Sequence, residues 1–196
     1  MNFLAHLFLS GDNEEIIVGN FIADHVKGNG INRFNTAIKN GIYFHREIDA
    51  FTDNHSLFIQ SKNRLALKYR KYSGVIVDMF YDHFLSANWT DYSNEPLEAF
   101  TKRMYKIVLK RLLILPSKTR RILPFMAKDN WLMAYGTTEG IDRALSGMAK
   151  RTPFESGMEN AVNDLIKDYE LYKNEFQKFF PDITIFSQEF LKLNND

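Results

Sequence analysis

Residues 75 to 85 read Val75-Ile76-Val77-Asp78-Met79-Phe80-Tyr81-Asp82-His83-Phe84-Leu85, and the choice between strand and helix here decides the fold. Three β-branched residues at the start favour a strand. The length of the run favours a buried helix, on which Asp78 and Asp82 share a face one turn apart. The helical reading extends outward in both directions. Asp12 with Glu15 resembles a capping pair opening a helix to about Lys27, closed by Gly28-Asn29-Gly30. A second helix is predicted from near Phe34 to about Thr52, and a third from about Leu57 to Tyr72 with Gly74 as its stop. Pro96 and Pro116 bracket an amphipathic segment carrying Leu97, Phe100, Met104, Ile107, Val108 and Leu112. Further helices are predicted at about 118–135, 138–149 and 155–178, the last ending before Pro181. The class is all-α, a single-domain helical bundle over 1–196.

Composition narrows the chemistry. With 45% hydrophobic residues in 196, the chain can bury a sizeable core. The absence of cysteine excludes disulfides, zinc–thiolate sites and iron–sulfur clusters, so any metal must be held by nitrogen and oxygen. The apolar N-terminus lacks a basic leader, and no window reaches the length of a membrane span. A soluble, cytoplasmic protein is expected. Net charge is only +1, yet residues 60–121 hold thirteen Lys and Arg against five acids. That segment is expected to attract an acidic partner or a phosphate-bearing substrate, unless it serves solubility alone. Nucleic-acid binding would rest on this segment only, and no phosphate loop, dinucleotide fingerprint, HExxH or GxSxG motif is present.

A second stretch, His45-Arg46-Glu47-Ile48-Asp49-Ala50-Phe51-Thr52-Asp53, puts His45 and Asp49 one turn apart on a helix, with Asp53 continuing the line after a drift of about 80°. Asp78 and Asp82 form a comparable pair. Unpartnered, such charges in apolar surroundings cost several kcal/mol, so a metal ion, mutual hydrogen bonds or both must compensate them. Asp24 falls near a helix C-terminus, an unfavourable place for an acid, which points to a nearby cation. Histidine and carboxylates on facing helices are how all-α proteins hold divalent cations without sulfur, and Asp24 and His6 can complete such a set. A cation so held suits phosphoester hydrolysis. Arg46 is placed to pair with a phosphate or a ligand carboxylate, and His83, about 100° off the Asp78/Asp82 line, to ligate from the side or orient a neighbour.

Several blocks together resemble the bacterial acyl carrier protein phosphodiesterases: Met1 to Leu7, Gly19 to Asp24, Gly41 to Asp53 in part, Asp82-His83-Phe84-Leu85 with Trp89, Gly147-Met148-Ala149, and the tail from Tyr169 to Pro181. The resemblance implies hydrolysis of the phosphodiester joining 4′-phosphopantetheine to a serine of holo-acyl carrier protein, a manganese-type cation (magnesium, iron or zinc being alternatives), and a distorted HD-type helical fold. It also implies an acidic protein partner for the 60–121 surface. Carried over position by position, it assigns Asp24, His45, Asp49, Asp78 and Asp82 to the metal, and His6, Arg46, Asp53 and His83 to catalysis or its surroundings. The doublet reads Asp82-His83 where ordinary HD enzymes have His-Asp, and Phe8 stands where some relatives have a second N-terminal histidine. The alternatives are a hydrolase of a nucleotide or other small phosphodiester on the same scaffold, and a non-enzymatic helical module that binds an acidic protein.

Overall fold

The computed structural model describes residues 1–193, and there the decisive stretch is helical. It forms the middle of α5 (Ser73–Ala87), buried on nearly every side from Ile76 to Ser86. The β-branched start does not make a strand, because neighbouring helices supply burial on all faces and the backbone satisfies itself within the helix. Packed around α5 are α1 (Phe3–Leu9), α4 (Ser56–Tyr69), α9 (Thr138–Arg151) and α11 (Tyr169–Leu193). No strand occurs among the described residues. The buried hydrophobic residues form one continuous core that runs from Met1 to Ile183.

The closest helix pair is α2 (Glu14–Ile22) with α3 (Thr36–Asn54), and two glycines make it possible. A Cβ on Gly19 would lie 2.1 Å from the Ile38 carbonyl oxygen, and one on Gly41 would lie 2.3 Å from that of Ile16. Backbone therefore meets backbone at the crossing. His45 follows Gly41 by one turn and Asn20 follows Gly19 directly, so the same contact sets these two polar side chains against each other.

Several boundaries differ from the sequence expectation, each for a local reason. The cap of α2 is Asn13, whose side chain accepts from Glu15 and Ile16 N–H, and the α-helix stops at Ile22. Asp24 lies in a 3₁₀ turn, Ala23–His25, that follows it. Gly74 does not stop the third helix. The break falls at Arg70, whose φ of +50° turns the chain into a short 3₁₀ segment, and Gly74 sits inside the first turn of α5. The predicted 118–135 helix divides into α7 (Ser117–Lys128) and α8 (Trp131–Ala134) around left-handed Asn130. Residues 155–178 become a 3₁₀ turn, α10 (Ala161–Lys167) and the start of α11. Pro181 does not end α11. Phe176, Phe179, Phe180 and Ile183 are all buried across that point, and their packing outweighs the roughly 3 kcal/mol that an interior proline costs.

Candidate metal centre

His6 on α1 and His45 on α3 stack face to face, with ring centroids 3.9 Å apart and planes inclined by 18°. Both are buried. The Nδ1 atom of each lies 2.9 Å from the same acceptor, Asn20 Oδ1. Asn20 cannot be turned the other way, because its Nδ2 donates to the His6 carbonyl oxygen at 3.0 Å and to Ser10 Oγ at 2.8 Å. An oxygen only accepts, so both Nδ1 atoms carry hydrogen and both Nε2 atoms are turned toward the carboxylates. Donating the far ring N–H to an outer acceptor is how metal-binding histidines are commonly oriented.

Asp49 stands opposite the two rings. Its Oδ1 is 3.2 Å from His6 Nε2 and its Oδ2 is 3.2 Å from His45 Nε2, while Asp24 Oδ1 approaches His45 Nε2 at 3.3 Å. A donor atom from each of His6, His45 and Asp49 falls within 4.8 Å of the others. Burial opposes charge on His45, but hydrogen bonds to Asp24 and Asp49 prevail and raise its pKa to about 9. His6 goes the other way: burial and the neighbouring His45 charge lower it to about 4. Burial alone would raise Asp49, yet the hydrogen bond from His45 and the charge of that imidazole hold it well below the usual carboxylate range. Asp24 is lowered chiefly by its hydrogen bond with His45.

His6 Nε2 makes no well-aligned hydrogen bond although it is fully buried. A neutral imidazole lone pair facing a carboxylate oxygen is two acceptors in opposition, and a cation between them removes the conflict. Two imidazoles with one or two carboxylates form a nitrogen and oxygen set suited to first-row divalent ions. The residues present therefore fit a divalent cation.

The other expected site residues are distributed around this centre. Asp78 accepts from the α-ammonium of Met1 at 2.7 Å. Asp82 is fully buried and receives backbone N–H groups from Leu4 at 2.8 Å and from Asn2 and Ala5 at 3.2 Å, so it caps the start of α1. Burial pushes its pKa up to about 7 against those donors. The acidic face of α5 is thus turned toward α1. His83 is buried behind it, with Nδ1 2.8 Å from the Tyr135 carbonyl oxygen and Nε2 3.0 Å from Tyr169 Oη. Arg46 is exposed, its guanidinium 5.7 Å from the Tyr43 ring centroid. Asp24, His45, Asp49, Asp53 and Asp78 line one cavity of about 1390 Å³.

The description "Acyl carrier protein phosphodiesterase" belongs to the family that matches residues 1–183. The chain belongs to that family. Among similar proteins of the same name, one from Photorhabdus laumondii is 33% identical over 182 residues, covering 92% of each chain. Another from Enterobacter sp. (strain 638) is 32% identical over 186 residues, covering 94% of this chain and 96% of its own. A third, from Serratia proteamaculans, is 30% identical over 186 residues, 93% and 95% of the two chains. No solved structure matches the chain.

In this member of the acyl carrier protein phosphodiesterase family, three kinds of residue around the cavity carry no role in the sequence reading. Asn20 is one, and an asparagine in an apolar helix such as Ile16 to Ile22 was the available signal. Thr52 is another: it lies three residues beyond Asp49 on α3, is buried, lines the cavity, and its Oγ1 has no partner. Arg143 and Arg151 are the third, brought to the cavity by α9 from far along the chain. No helix among the described residues is long and apolar enough to cross a membrane.

Proposed function

We propose that this chain hydrolyses the phosphodiester joining 4′-phosphopantetheine to holo-acyl carrier protein, releasing apo-protein, with a divalent cation, manganese first among the choices, held by His6, His45, Asp49 and Asp24. The observation that carries this reading is the pair of stacked histidines on one Asn20 oxygen, their Nε2 atoms converging on Asp49, in a chain of this family. When bound, the cation lowers the pKa of a water and neutralises charge on the phosphoryl group.

The chain's own residues supply the rest. Asn20 fixes both imidazoles in one tautomer, so the centre is assembled before substrate arrives. Asp24 keeps 65% of its side chain exposed while one oxygen rests on His45, which leaves the other able to take a proton from water. Asp53 adds a carboxylate to the cavity beside the centre, favouring a cation there and discouraging a bare phosphate. Lys71, Lys118 and Arg121, the exposed cations of the 60–121 segment that line the cavity, face an approaching acidic protein.

Purified holo-acyl carrier protein incubated with the enzyme and manganese, read by mass spectrometry, tests the proposal. Loss of the phosphopantetheine mass is expected. An unchanged carrier across manganese, magnesium, iron and zinc, with turnover of a small phosphodiester instead, would replace it by the small-substrate reading.

A further inference from the structure

Of the thirteen cations in the basic segment, Arg70, Lys106 and Arg120 neither form an ion pair among the described residues nor line the cavity, and the other ten fall into two populations. Arg64, Lys68, Lys102, Arg103 and Lys110 each sit within 3.2 Å of a carboxylate, and Arg111 lies 3.9 Å from Glu15. Their charge is offset on the spot. Lys62, Lys71, Lys118 and Arg121 make no ion pair among the described residues, and all four line the cavity that holds the candidate metal centre. Arg143 and Arg151 from α9 join them there, likewise without a carboxylate partner.

The α9 wall is shaped as well as charged. Arg143, Ala144, Gly147 and Arg151 lie at helical spacing along its cavity face, and the two arginines are eight residues apart, about 12 Å along the axis. Small residues between them leave a trough. Arg151 folds back along it, since a Cβ on Gly147 would be 3.6 Å from Nη1. Lys71 is steadied at 4.9 Å from the Phe154 ring centroid and 5.1 Å from that of Tyr72. Asp129, between α7 and α8, is the one acid lining the cavity from residues 117–151, against four cations from α7 and α9.

We propose that the α9 wall, centred on Arg143 and Arg151, is an oxyanion subsite separate from the His/Asp centre, and that it takes a phosphate monoester. Its link to turnover rests on the function proposed above. Hydrolysis forms a bond from water oxygen to phosphorus and breaks the bond from phosphorus to the leaving alcohol oxygen, which takes a proton; the second water proton goes to solvent. A monoanionic diester thus becomes a monoester carrying close to two negative charges at pH 7. The acid-rich end repels that product more than the substrate, and two planar guanidinium forks attract it. The subsite draws the monoester away from the centre.

The test uses inorganic phosphate as probe, titrated calorimetrically into the full chain with chelator present, beside succinate as a carboxylate probe. Wild type is expected to bind phosphate and to prefer it over succinate at least tenfold. R143Q/R151Q is expected to lose tenfold or more in phosphate affinity with an unchanged melting temperature, while D49N, which alters only the metal centre, keeps it. Phosphate binding that survives R143Q/R151Q, that disappears in D49N, or that is matched by succinate would overturn the inference. Failure of the wild type to process holo-carrier would instead count against the proposed function, leaving the phosphate result to stand by itself.

Discussion

His6 and His45 donate from Nδ1 to one oxygen, Asn20 Oδ1, at 2.9 Å each. One side chain on α2 thereby sets the tautomer of two histidines on two other helices, and removing it should act on both together. Asn20→Ala is expected to weaken manganese binding by roughly 10–100-fold, the usual scale for an outer partner of metal-binding histidines. It should also cost about 1–3 kcal/mol of stability through the donors left unmatched. Metal titration and denaturant unfolding measure the two effects. Wild-type metal affinity in the variant would show that the histidines need no such clamp.

The glycine crossing supports the same clamp from below. Gly41→Ala puts a methyl group 2.3 Å from the Ile16 carbonyl oxygen, so α2 and α3 must separate. Overpacking of this kind typically costs 1–3 kcal/mol. The separation also carries Asn20 away from His45. Denaturant unfolding should therefore show the loss of stability, and metal titration a weaker site in the protein that remains folded. A variant of wild-type stability would mean that the backbones yield without strain.

Asp82 is expected to behave as a cap. Asp82→Ala leaves the Asn2, Leu4 and Ala5 N–H groups without their acceptor and should destabilise by about 1–3 kcal/mol, the scale of a lost cap and of buried donors left unmatched. Asp82→Asn keeps an accepting oxygen and should recover part of that loss. Elemental analysis of the folded Asn variant should still find metal at wild-type stoichiometry; metal loss without loss of stability would assign Asp82 to the metal instead.

Much of this was legible in the sequence, and the gaps have physical causes. The 75–85 helix follows from the length of its apolar run, and the pairing of His45 with Asp49 from their spacing on a helix. The destination of the α5 acids does not, because an apolar stretch with two aspartates looks the same whether they face a metal or the start of another helix. Helix α1, seven residues long, is held by Asp82 from across the fold, and short helices carry little local signal. Asn20 stood out as a polar residue in an apolar helix, but its role depends on two histidines 14 and 25 residues away. Pro181 misled because its local penalty is plain in the sequence, whereas the packing that overrides it is not.

His83 gives a pH signature. Burial lowers its folded pKa below the ordinary histidine value of 6.5, against the Tyr135 carbonyl that raises it. The unfolded chain therefore takes up a proton first as pH falls, and stability drops from about pH 6.5 downward until the folded value is reached. The stability of wild type minus that of His83→Gln, from urea unfolding between pH 5 and 7.5, is expected to shrink as pH falls. A difference independent of pH would mean that His83 is not held neutral.

The central claim is that a divalent cation held by His6, His45 and Asp49 drives hydrolysis of holo-acyl carrier protein. Its most direct test is a mass-spectrometric time course of holo-carrier with wild type plus manganese, wild type plus chelator, and D49N plus manganese. The account predicts conversion to apo-protein in the first and a rate at least 100-fold lower in the other two, with D49N still folded. Conversion at the wild-type rate with chelator present, or by D49N, would contradict it.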